Sequence, residues 1–103
     1  MQYITFDFET SGLPKGNNPD ARRKLSDYDT CRAVSLSAAR FSDKGIILDT
    51  FDNIVYPEDF EISARSTEIH GITKEKALEE GTPFAEVFVG FMKFIGSHTK
   101  TVI

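Results

Sequence analysis

The stretch Tyr3-Ile4-Thr5-Phe6-Asp7-Phe8-Glu9-Thr10-Ser11-Gly12-Leu13-Pro14 alternates apolar and polar residues and then breaks at glycine and proline. Ile4, Phe6 and Phe8 fall on one face and Tyr3, Thr5, Asp7 and Glu9 on the other, so the pattern predicts a β-strand ending in a tight turn. Residues i and i+2 of a strand point the same way with α-carbons roughly 6.5–7 Å apart, which lets the carboxylates of Asp7 and Glu9 converge on one cation. Two carboxylates that close repel, and a hard divalent cation keeps both ionised. Magnesium or manganese held by oxygen ligands can polarise a phosphoryl oxygen and stabilise a leaving oxygen, best as two ions about 3.5–4 Å apart. The pattern therefore predicts half of a metal site for phosphodiester hydrolysis. The plainer alternative is the solvated face of an amphipathic strand. Against it stand the position of the pair at the C-terminal end of the strand, where α/β sheets gather ligands, and the Thr10-Ser11-Gly12 turn beside it, which can meet a nucleotide.

Outward from this strand, residues 15–30 are polar, with Gly16, Asn17, Asn18, Pro19 and the basic run Arg22-Arg23-Lys24, and read as a loop or a short helix on a loop. Residues 34–41 and 46–56 are apolar and β-branched runs joined by Ser42-Asp43-Lys44-Gly45, which predicts an antiparallel hairpin. Ser63 can cap a short helix ending at His70-Gly71, and Thr73 can cap another over residues 74–80 closed by Gly81. The clearest helix has Thr82 as N-cap and Pro83 at the first helical position. Its apolar stripe of Phe84, Val87, Phe88, Phe91, Met92 and Ile95 is expected to lie on the sheet. Thr101-Val102-Ile103 then reads as the start of a fourth strand, reached by a crossover. The order β-β-β-α-β gives an α/β fold with three N-terminal antiparallel strands, helices and the beginning of a fourth strand in a mixed sheet.

At 103 residues the chain is one small domain at most. Its 40% hydrophobic and 27% charged composition is that of a folded globular protein. The net charge of −4 offers no general attraction to a polyanion, so nucleic-acid contact must rest on local basic residues and bound cations. One cysteine, Cys31, excludes an internal disulfide, and no Cys/His spacing fits zinc. The N-terminus lacks a signal-peptide pattern and no apolar run approaches the ~18 residues of a membrane span, so a soluble, intracellular and most simply cytoplasmic protein is expected.

The run Phe6-Asp7-Phe8-Glu9-Thr10-Ser11-Gly12-Leu13 resembles the first motif of the DEDD superfamily of 3′→5′ exonucleases, which have a ribonuclease-H-like fold. Ile69-His70-Gly71-Ile72-Thr73 is similar to the His-Gly-Ile segment of its proofreading branch, and Thr82-Pro83-Phe84 to the start of the next helix. The resemblance implies that Asp7 bridges two metal ions, that Glu9 binds one of them, and that Thr10, Ser11, Gly12 and Leu13 hold a 3′-terminal nucleotide. It implies single-stranded nucleic acid or a 3′ end as partner. It also implies an aspartate from a second motif, beyond the strand that Thr101 begins, and a His and an Asp from a third. None of those three can be located in residues 1–103. The chain is therefore expected to be the N-terminal part of one exonuclease domain, truncated before its second half and inactive or nearly so alone.

Other residues weigh less. His70, beside a helix end, reads first as a favourable C-terminal cap and second as a substrate contact. His98 reads as solvated. Lys15, Arg22, Arg23, Lys24 and Arg32 can meet phosphates but are more simply a solvated loop surface. Cys31 has no placeable activating partner. The phenylalanines of residues 84–94 read as core. Two rival functions are a haloacid-dehalogenase-like phosphatase, which Glu9 fits poorly, and a non-catalytic interaction domain on an exonuclease-like fold. An unpaired sheet edge can also support self-association.

Overall fold

A computed structural model describes residues 2–13, 31–96 and 101–102. The alternating stretch forms β1, Gln2–Thr10, and pairs antiparallel with β2, Ala33–Phe41, from Tyr3↔Phe41 to Glu9↔Ser35. The register shifts between Glu9 and Thr10, so the strand bends just beyond the acidic pair. β3, Ile47–Ile54, returns antiparallel along the far side of β2. The expected turn joins them: Gly45, at φ 76°, donates its N–H to the Ser42 carbonyl at 3.0 Å, a backbone conformation that glycine adopts without steric cost.

Two short helices follow, α1 (Ala64–His70) and α2 (Lys74–Glu80), and both begin where the sequence predicts. Ser63 Oγ accepts the Ser66 N–H and Thr73 Oγ1 accepts the Lys76 N–H, each at 3.1 Å, satisfying donors a helix start leaves open. Gly71 ends α1 in the left-handed conformation at φ 77°. The long helix α3, Phe84–Gly96, leads across to β4, Thr101–Val102, which pairs parallel with Gln2 and Tyr3. The sheet order is β3-β2-β1-β4, the mixed sheet expected.

Thr82 does not cap α3 as predicted. Its backbone is held in an isolated parallel bridge with Val55: Thr82 N donates to the Ile54 carbonyl at 2.8 Å, and Tyr56 N donates to the Thr82 carbonyl at 2.9 Å. The first helical bond instead runs from Val87 N–H to the Pro83 carbonyl. The bridge draws Gly81 against the backbone, where a Cβ would lie 2.3 Å from the Ala77 carbonyl oxygen and 2.6 Å from Tyr56 N. Neither neighbour is a side-chain end that can swing away. Gly81→Ala is therefore expected to destabilise the fold by about 1–3 kcal/mol, read by denaturant titration.

α3 covers the Ile4 face of the sheet. Ile4, Leu36, Ala38, Val55, Val87 and Phe91 form the main buried cluster. Phe91 stands at its centre, its ring centroid 5.5 Å from that of Phe6 and 5.9 Å from that of Phe51. The apolar stripe of α3 is wider than the surface it covers. Val87 and Phe91 are buried, whereas Phe84, Phe88 and Met92, expected on the sheet, are exposed. Phe6 and Phe8 on β1 are exposed as well, since the line of α3 passes to one side of them. Among the phenylalanines of residues 84–94, then, Phe91 and Phe94 are core and Phe84 and Phe88 are not.

Arg40 closes the other end of this layer although its strand position gave no hint of it. Its guanidinium, almost wholly buried, stacks 4.5 Å over the Phe94 ring, donates to the Phe94 carbonyl and lies 3.7 Å from Asp49. A cation at the last carbonyls of α3 offsets the negative end of the helix dipole. A second buried cluster, Val34, Ile72 and Ala77 with Ile54, Phe60 and Ile62 around it, seats the α1–α2 segment beside the C-terminal end of β1. That cluster creates the wall of the site.

Candidate active site

Asp7 and Glu9 occupy alternate positions near the end of β1, opposite Ser37 and Ser35 of β2. They therefore share the face of the sheet opposite to the Ile4–Phe91 core. Asp7 is exposed and lies in a shallow depression with Thr5, Ser37 and Ala39, while Glu9 is half-buried at the mouth of a larger cavity. Among the described residues neither carboxylate is in an ion pair. Two adjacent, oxygen-only donors with no ion-pair partner among the described residues fit a hard divalent cation such as magnesium or manganese. Among the described residues, no group of three or more His, Cys, Asp or Glu side chains is placed to hold a metal. The pair is thus a partial donor set.

The turn that follows is held from several sides. Ser11 donates its N–H to the Arg32 carbonyl at 2.9 Å, its hydroxyl accepts the Arg32 N–H at 2.9 Å, and its carbonyl accepts the Ser63 N–H at 3.0 Å. Ser11 is only 3% exposed. Thr10 Oγ1 donates to the Gly12 carbonyl at 3.1 Å. These two hydroxyls build the turn itself. His70 reaches the same turn: its Nε2 lies 3.2 Å from the Thr10 carbonyl, and its Nδ1 accepts the Ile72 N–H at 3.1 Å. Thr67 Oγ1 donates to the Ile72 carbonyl at 2.9 Å and steadies that partner.

Between the turn and α1 lies a cavity of about 970 Å³, lined by Glu9 to Leu13 on one side and by Phe60, Arg65, Ile69 and His70 on the other. This is at the upper end of the size range of small-ligand sites. Its apolar jaws are Leu13 and Ile69, 81% and 74% exposed. Exposure of that degree for two branched aliphatics facing one cavity suits an apolar ligand surface. Sequence reasoning missed Phe60, Arg65 and Ile69 as lining residues. They arrive from some fifty residues downstream through the second cluster, and only the Ile69-His70-Gly71 motif marked the place. Glu61 on the same rim is paired with Lys74. Arg32 packs its guanidinium 5.3 Å from the Phe60 ring centroid, so this member of the basic set is partly engaged in the wall. Lys15, Arg22, Arg23, Lys24 and His98 lie outside the described residues.

A three-stranded antiparallel sheet, a crossover helix to a parallel fourth strand, and a carboxylate pair at the end of the first strand together define a ribonuclease-H-like nuclease fold. Known proteins agree. The family model described as Exonuclease (RNase_T) matches residues 4–103. The chain belongs to this exonuclease family. It is similar to the DNA polymerase III PolC-type protein of Streptococcus pyogenes serotype M2, at 32% identity over 92 residues, which are 89% of this chain and 5% of that protein. In structure it is similar to E. coli Exonuclease I solved with a dT13 oligonucleotide, with a TM-score of 0.74 at 19% identity over 99% of this chain and 19% of that one. Exonuclease I of Methylocaldum szegediense gives a TM-score of 0.72 at 22% identity, covering 97% and 19% of the two chains. The chain thus spans a twentieth to a fifth of the length of these relatives. The phosphatase alternative is set aside by this family membership. No helix among the described residues is long and apolar enough to cross a membrane.

Proposed function

We propose that the chain supplies the first carboxylate pair and the nucleotide-holding turn of a 3′→5′ exonuclease that hydrolyses nucleic-acid phosphodiesters with two divalent ions, magnesium or manganese. The observation that carries this reading is the juxtaposition of Asp7 and Glu9 with a braced turn that floors an apolar-jawed cavity. Asp7, in the position that resembles the bridging ligand, would hold both ions, and Glu9 would hold one at the cavity mouth. The chemistry such ions supply when bound is polarisation of the phosphodiester and charge neutralisation at the leaving oxygen.

The chain's own residues bind and orient. Leu13 and Ile69 sandwich the apolar face of a terminal base or sugar, the backbone of Thr10 to Gly12 sets its depth, and Arg65 offers a cation to a phosphate at the rim. Because two carboxylates are a partial donor set among the described residues, the remaining ligands and the base that activates water lie beyond the described residues, and the described residues by themselves are expected to be inactive. Single-stranded ends are the substrates this cavity suits, since a terminal nucleotide can enter it unstacked. Exonuclease I in complex with an oligonucleotide and the PolC-type relative, a DNA polymerase, support a nucleic-acid substrate for the protein that carries this domain.

Thymidine 5′-monophosphate titrated into labelled chain with magnesium tests the cavity. Shifts confined to residues 9–13 and 65–72 are expected, and shifts centred elsewhere would contradict the assignment. A 5′-labelled single-stranded oligonucleotide incubated with magnesium and the pure chain is expected to stay intact, and rapid shortening from its 3′ end would show that these residues already make a complete site.

A further inference from the structure

His70 joins two segments sixty residues apart, and both of its ring nitrogens face backbone groups of fixed role. An amide N–H can only donate, so the Ile72 N–H at 3.1 Å requires an unprotonated Nδ1. A carbonyl oxygen can only accept, so the Thr10 oxygen 3.2 Å from Nε2 requires the proton there. One tautomer satisfies both contacts. The imidazolium does not, because its second N–H would point at the Ile72 donor.

We propose that His70 is held as the neutral Nε2–H tautomer and acts as a strut, fixing the Thr10 carbonyl and with it the turn that follows Glu9. It is a positioning residue. Neither nitrogen is open to take a proton from water, so His70 is not a general base. The arrangement is braced at each end: Gly71 turns the chain so that Ile72 N–H can reach back to Nδ1, Thr67 holds the Ile72 carbonyl, and Ser11 is tied to Arg32 and Ser63 beside the accepting Thr10 carbonyl. With α1 anchored through Ile72 in the second cluster, the strut links that cluster to the end of β1. Its value to metal and nucleotide binding rests on the function proposed above, whereas the tautomer and the tie do not.

The test is a long-range proton–nitrogen correlation spectrum of the 103-residue chain labelled at histidine, recorded in mildly alkaline buffer. His70 is expected to show an unprotonated Nδ1 and a slowly exchanging Nε2 proton with a cross-peak to Thr10. An Nδ1–H form, or a signal averaged between tautomers, would overturn the proposal. In His70→Phe, which keeps a ring but no donor, amide exchange at Ser11 and Arg32 is expected to quicken roughly two- to tenfold, the worth of one hydrogen bond. Amides of the β2–β3 hairpin should keep their rates. Unchanged rates at Ser11, or uniform acceleration throughout, would overturn the strut. If His70→Phe does not fold, the spectrum of the unaltered chain decides. An intact tautomer with no nucleotide binding contradicts the function proposed for the cavity and leaves the strut standing.

Discussion

Asp7→Asn is expected to weaken magnesium binding to the chain roughly 30-fold. Two unit charges 4 Å apart attract by about 1 kcal/mol in water, a divalent ion doubles this, and ~1.4 kcal/mol is tenfold in affinity. The water value applies because Asp7 is exposed. The substitution keeps the shape of an exposed side chain while removing its charge and exchanging one acceptor oxygen for an NH2 donor, so the fold should be unaffected. Calorimetric titration of both proteins measures the difference. The control is Glu79→Gln, an exposed acid on α2 that should leave binding unaltered. Equal losses in the two variants would mean that the ion senses net charge and no site. In a protein with the complete site the same substitution should cut phosphodiester hydrolysis by about 10²–10³-fold, the order seen when one preorganised electrostatic group is lost.

Phe91→Ala is the substitution expected to cost the fold most. Phe91 is 7% exposed and its ring meets Phe6 and Phe51, so its removal weakens the packing of α3 on two strands at once. Truncation of a buried phenylalanine costs about 3–5 kcal/mol, against a total stability of roughly 5–15 kcal/mol for a domain. Urea or thermal denaturation of the variant should show a chain near the limit of folding. Met92→Ala, one residue away and 49% exposed, should cost under about 1 kcal/mol. A Met92→Ala loss as large as that of Phe91→Ala would show that the outer flank of α3 is covered in solution, which would also account for the exposure of Phe84 and Phe88.

The architecture was legible where local chemistry decides it. Period-two alternation marked β1, Ser42 to Gly45 marked the hairpin, and Ser63, Gly71 and Thr73 marked helix ends, because caps and positive φ are requirements of the immediate backbone. Asp7 and Glu9 were legible for the same reason, as i and i+2 on a strand cannot help but share a face.

What could not be read depends on distant partners. The N-cap assignment failed at Thr82 because its backbone is claimed by a bridge to Val55, twenty-seven residues earlier. Periodicity identified the apolar stripe of α3 but not how much of it the sheet would cover, so Phe84, Phe88 and Met92 were placed in a core they do not enter. That the Ser11 hydroxyl would accept from the Arg32 N–H, twenty-one residues away, was not legible either. The far wall of the cavity, with Phe60, Arg65 and Ile69, exists only because Val34, Ile72 and Ala77 pack together. The basic run Arg22-Arg23-Lys24 lies outside the described residues, and its part in phosphate contact rests on sequence alone.

The most direct test of the central claim, that Asp7 and Glu9 form a divalent-cation half-site, is paramagnetic line broadening by substoichiometric manganese in the amide spectrum of the unaltered chain. Broadening should be steepest at residues 7–10, extend to Ser35 and Ser37 across the strand pair, and disappear on competition with magnesium. Broadening centred on Asp49 and Asp52, on Glu58 to Glu61, or spread evenly over exposed acids would contradict the account.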